Sequence, residues 1–189
     1  MSKTYEVYPT TSYIPSKEEI EKLAEKYLNT FLEKANIKEE YKKKLKVTNS
    51  TLRFSDKNYV NRENICMIDT EYDIYQLNIK EGNAIFVFFH KFTQLDIEVL
   101  EETLVNTNYE NEFEKIVKLS YTWTVKRTAW QPVLSNILYG FIAIAIAELT
   151  DGIIYSGDGA WNIEIFPIKA KELLPILLDA TIEKILRSD

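Results

Sequence analysis

From Gly152 to Asn162 the chain reads G-I-I-Y-S-G-D-G-A-W-N, a short apolar strand running into an aspartate between two glycines and then a tryptophan. Glycines on both sides of Asp158 suit backbone angles that other residues avoid. One reading is a tight turn whose aspartate bonds its own backbone while Trp161 folds onto the core. The other sets Asp158 and Trp161 together at an exposed loop tip, where an aromatic anchor beside a carboxylate makes a small recognition site. Partners for catalysis are scarce. The chain holds one histidine, His90, and one cysteine, Cys66, and no local signature pairs them as base and nucleophile. His90 shares a strand face with Phe86, Phe88 and Phe92, which suits a buried or edge-capping imidazole. A metal site of the usual His and Cys type lacks ligands, and neither a Walker loop nor a G-x-G-x-x-G after a strand occurs. We therefore expect no metal, no cofactor and no catalytic residue. Carboxylate chemistry around Asp158 and Tyr155, as in a small hydrolase, stays open as an alternative.

A second feature is charge. From Phe92 to Glu114 there are seven carboxylates (Asp96, Glu98, Glu101, Glu102, Glu110, Glu112 and Glu114) and no Lys or Arg. Acids in the first turn of a helix are favoured by its dipole, which accounts for Asp96 and Glu98. Glu98, Glu101 and Glu102, however, fall at i, i+3 and i+4 on one face, where like charges repel. Ile97, Leu100 and Leu104 make the opposite, core face. The first helix intersperses its charges, with nine lysines and seven glutamates between Ser16 and Lys46. The acidic run reads either as a solvated face or as a surface that captures a basic protein partner, since complementary charge speeds encounter and fixes orientation.

These residues need a scaffold, and its elements are readable. Thr4 to Tyr8 is an opening strand. Ser16-Lys17-Glu18-Glu19 is a capping box, followed by Ile20, Leu23, Ala24, Tyr27, Leu28, Phe31, Leu32 and Ala35 at helical spacing. The lysine-rich segment after it continues as a solvated turn or two. Tyr72 to Lys80 and Ala84 to Phe92 flank Glu81-Gly82-Asn83 as a hairpin, and the second of these strands, apolar on both faces, is central in its sheet. Leu95 to Val105 has helical character. Lys115 to Arg127 alternates with a period of two and reads as one half-buried strand. Pro132 suits the first turn of a buried helix over about 132–150, whose apolar stretch from Ile137 to Ala147 is too short to span a bilayer. Ile153 to Ser156 is a strand with Ile163 to Phe166 as its candidate partner, and Pro175 opens a last helix through Arg187. Helices interspersed with hairpins predict an α+β fold, an antiparallel or mixed sheet packed with helices.

Composition bounds the rest. At 189 residues, 46% of them hydrophobic and 13% aromatic, one domain over 1–189 is expected. A net charge of −6 argues against binding nucleic acid or an anionic membrane surface. The start lacks the succession of a signal peptide, and a lone cysteine suits a reduced, cytoplasmic setting.

The segment A-I-A-E-L-T-D-G-I-I-Y-S-G-D-G-A-W-N, Ala145 to Asn162, resembles the corresponding segment of small bacterial proteins associated with immunity in polymorphic-toxin systems. The matching positions are Ala147, Leu149, Thr150, Asp151, Gly152, Tyr155, Ser156, Asp158, Gly159 and Trp161. The resemblance implies a compact α+β domain that binds and blocks a cognate toxin without catalysis, and it implies no particular site residues. The expectation is a cytoplasmic binding protein whose contact residues are Glu98, Glu101, Glu102, Asp158 and Trp161. A small hydrolase and a phage or mobile-element accessory protein are the alternatives.

Overall fold

The computed structural model describes residues 3–36, 45–53, 71–78, 84–127, 133–158 and 166–179. In chain order the elements are β1 (Lys3–Tyr8), α1 (Lys17–Lys34), β2 (Val47–Arg53), β3 (Glu71–Leu77), β4 (Ile85–Lys91), α2 (Gln94–Leu104), a 3-10 turn (Glu110–Glu112), α3 (Phe113–Leu119), β5 (Tyr121–Arg127), α4 (Val133–Leu149), β6 (Ile153–Tyr155), β7 (Ile168–Lys169) and α5 (Ala170–Leu178). The seven strands make one sheet in the order β2-β3-β4-β5-β1-β6-β7, and every neighbouring pair is antiparallel. The fold is α+β, as expected.

Helices lie on both faces. On one, α4 packs between α1 and α5 and over β1 and β5. Every residue from Ile137 to Ala147 is buried, so an apolar run with no polar stripe fits only a fully enclosed helix. Tyr5, Val7, Val87, Trp123, Val125 and Ile154 send their side chains into this core with Leu28, Phe31 and Leu32 of α1. On the other face Leu100 and Leu104 of α2 and Ile116 of α3 close over Tyr8 and Ile153. The sheet is covered twice here, which explains why β1 and β5 are buried on alternate residues of both parities.

Local signals set the helix ends. The Ser16 hydroxyl accepts from the Glu19 amide while Glu19 accepts from the Ser16 amide, the expected capping box. Thr93 and Asp96 build a second one at the start of α2. At the far end of α4 the chain turns sharply: Asp151 adopts a left-handed backbone (φ 48°), and the Gly152 amide donates to the Ala147 carbonyl at 2.7 Å. A Cβ on Gly152 would sit 2.8 Å from Thr150 Oγ1 and 2.9 Å from the Tyr8 carbonyl oxygen. Glycine is required there by space. Thr10 seals the joint, its amide donating to the Thr150 carbonyl at 3.2 Å and its hydroxyl to the Asp151 carbonyl at 2.8 Å.

Several expectations are corrected. Lys115 to Arg127 is not one strand: Phe113–Leu119 is helical, Ser120 ends the helix in a left-handed conformation (φ 62°), and the strand starts at Tyr121. Ile116 is buried against α2 and β6, in one cluster with Leu100, Leu104 and Ile153, so tertiary burial overrides a five-residue alternation. β2, a strand unforeseen in the polar run V-T-N-S-T-L-R, pairs with β3 along its whole length. β6 pairs with Ile168–Lys169 and, on its other side, with β1. The last helix starts at Ala170, with Pro175 inside it. The expected turn at Glu81–Asn83, the helical extension over 38–44, Ile163 to Ile165 and the stretch from Ala180 to Arg187 lie outside the described residues.

Candidate functional site

The acidic surface rests on α2. Its capping box consumes one carboxylate, since Asp96 accepts from the Thr93 amide at 2.6 Å and from its hydroxyl at 2.7 Å. Glu112 pairs with Lys115 at 3.3 Å. Glu98, Glu101 and Glu102 are exposed; Glu98 accepts from Gln94 Nε2 at 3.2 Å. None of the three has an ion-pair partner among the described residues. Leu100 and Leu104 are fully buried beneath them and Ile97 is half-buried. Sequence reasoning missed the apolar part of this surface. Leu95 is 67% exposed and Val99 37% exposed, and with Glu98 and Glu102 they stand at i, i+3, i+4 and i+7 on one outward stripe. Two aliphatic side chains alternate there with two carboxylates.

Asp158 stands in the turn that follows β6 and is exposed. It accepts from the Ser156 hydroxyl at 2.9 Å, so it closes a local side-chain turn. Gly157 does not adopt a left-handed backbone, and a Cβ there would meet only the Tyr155 ring end at 3.3 Å. The expected conformational need for glycine before Asp158 is therefore not observed. Gly159 and Trp161 lie outside the described residues, as does Cys66, so neither the Asp158–Trp161 pairing nor a Cys66–His90 pairing is placed.

His90 sits half-buried on the α2 side of the sheet, as its strand face predicted. Its Nε2 lies 2.8 Å from Thr124 Oγ1, which donates to Glu6 Oε2 at 2.6 Å. Burial lifts the Glu6 carboxyl to about 7, with Asp96 and Asp158 adding to the rise while the Thr124 hydrogen bond and Lys126 oppose it. Thr124 itself is 7% exposed, which encloses its hydroxyl within the structure.

A third cluster went unforeseen. Ser135 in the first turn of α4, Tyr139 in its second and Tyr5 of β1 carry hydroxyls on residues with no exposed surface. None of these hydroxyls has a hydrogen-bond partner among the described residues. The Tyr5 and Tyr139 rings stack with centroids 4.6 Å apart, and the Arg127 guanidinium carbon lies 5.9 Å from the Tyr139 ring. Burial pushes both phenols upward, further raised by the Asp158 charge and lowered by that of Arg127. The available signal was Ser135, Asn136 and Tyr139 on successive turns of an otherwise apolar helix.

Comparison with protein-family models, with curated proteins and with solved structures returned no match. No helix among the described residues is long and apolar enough to cross a membrane, and those residues contain no group of three or more His, Cys, Asp or Glu placed to hold a metal ion.

Proposed function

We propose that this protein is a non-catalytic binding protein of the immunity type, which captures and neutralises a basic toxin through α2. The observation that carries the reading is the outward stripe of α2: Leu95 and Val99 interleaved with Glu98 and Glu102, beside Glu101. Exposed aliphatic side chains supply desolvated contact area, and unrelieved carboxylates steer a cationic partner and fix its register. The lone cysteine is consistent with action in the reducing cytoplasm, where a toxin must be met before it acts. The resemblance of Ala145 to Asn162 to immunity-associated proteins supports the same class. Within that segment, Thr150, Asp151 and Gly152 hold the end of α4 against Thr10, so part of the resemblance is scaffold.

The test uses binding kinetics against a candidate cognate toxin domain, sought among the products of neighbouring genes. Attraction between exposed charges is screened over about 8 Å at physiological ionic strength. Association with the parent protein should therefore slow steeply with salt, and dissociation should change less. Reversal of Glu98, Glu101 and Glu102 to Lys should slow association with the melting curve retained. Fast, salt-independent association by the reversed protein removes α2 as the contact surface and shifts attention to the Asp158 turn.

A further inference from the structure

We propose that Tyr5, Arg127, Ser135 and Tyr139 form a binding site for a small oxyanion, the carboxylate or phosphate group of a compact metabolite, at the first turn of α4. Buried hydroxyls without partners are rare in folded proteins, because each forfeits its hydrogen bonds to water. Here three of them, on Tyr5, Ser135 and Tyr139, have no partner among the described residues and occur on residues with no exposed surface. They also occur together. Ser135 and Tyr139 stand at i and i+4, and helical side chains lean toward the N-terminus, which brings the Tyr139 ring over the turn that bears Ser135. Tyr5 reaches the same place from β1 by stacking on Tyr139.

The chemistry of the guest follows from what surrounds these hydroxyls. Each is a donor, and Arg127, 95% buried at the end of β5, adds a permanent positive charge beside Tyr139. The start of α4, a helix of 17 residues, adds the positive end of its dipole. Three hydroxyl donors, a guanidinium and a helix N-terminus all favour an acceptor with negative charge. Two carboxylates work against it. Asp158 raises both tyrosines yet is itself exposed, where solvent weakens its reach, and Glu6 adds to the rise at Tyr139. This site shares no residue with the α2 stripe and is independent of the toxin-binding reading.

The experiment follows the melting temperature of the intact chain in sodium phosphate, sodium acetate and sodium chloride at matched ionic strength, with affinity from calorimetry. Phosphate, acetate or both should raise the melting temperature above chloride, and which one does identifies the anion class. Tyr139→Phe and Ser135→Ala should each weaken that affinity at least about tenfold. Their melting temperatures in chloride should stay level or rise, because a buried partnerless hydroxyl has been removed. Asp158→Asn, which relieves one opposing charge, should tighten binding. No shift in the parent beyond chloride overturns the site. Equal shifts in the parent and in both hydroxyl variants also overturn it, by showing that the anion binds elsewhere.

Discussion

Glu6 shows how one side chain can make stability depend on pH. Its carboxyl rises from 4.5 to about 7 because burial penalises the charged form. The folded state then binds the proton more tightly than the unfolded state, so the unfolded chain holds fewer protons between those values. Stability tied to Glu6 is therefore full below about pH 4.5 and is lost as pH rises through 7. Glu6→Gln keeps an acceptor for Thr124 and removes the ionisation. Denaturation at pH 8 should find it more stable than the parent by on the order of 3 kcal/mol, with the difference vanishing near pH 4. A difference that is the same at both pH values rules the carboxyl out as its source. Gly152→Ala tests space rather than charge. Its Cβ would press on the Tyr8 carbonyl oxygen at 2.9 Å, a backbone atom that cannot rotate away, and denaturant titration should show a loss of about 1–3 kcal/mol. Asp158→Asn should melt like the parent, because an amide oxygen still accepts from Ser156. A hydrolytic activity that this change abolishes without altering the melting curve would point to the enzyme alternative.

At the scale of elements, α4 is the test of the architecture. Ala143, Ala145 and Ala147 are buried in a helix packed against α1, α5 and the sheet, so Ala145→Phe should overpack the site and cost about 1–3 kcal/mol by thermal denaturation. A parental melting curve would place α4 at the periphery. The helices α1 and α4 were legible because their signals are local, a capping box and an apolar run closed by Glu148. The α+β class followed from the same kind of pattern. β2 was illegible because Thr48, Asn49 and Ser50 carry no strand signature of their own, and its state depends on β3 lying alongside. Val117 and Leu119 alternate with lysines as a strand would, but five residues are too few to separate that period from a helix, and the burial of Ile116 decides. The acidic face of α2 was readable from spacing. Its apolar stripe was hidden, because Leu95 and Val99 look like core until the other face is known to be filled by Leu100 and Leu104. The hydroxyl cluster was hidden more deeply, since Tyr5 and Tyr139 meet only through the strand order.

Across the whole molecule, stability should be graded from the sheet's middle outward. β1 and β5 are paired on both sides and covered by helices on both faces, whereas β2 is an edge strand. Hydrogen exchange should leave amides of β1, β5 and α4 protected longest and release those of β2 first among the longer strands. Protection in β2 equal to that in β1 contradicts this ranking. The place of β1 also has a meaning during synthesis. Glu6 meets Thr124 across a separation of 118 residues and meets Tyr155 on its other side. As the chain leaves the ribosome, β1 and α1 emerge long before either neighbour of β1 has been translated. The centre of the sheet stays open until α4 and β6 are out, with Tyr5 and Val7 offered to whatever holdase is at hand. Maturation of this protein is thus set by its last third, and a slow stretch of codons after β6 would give the first strand time to find its slot.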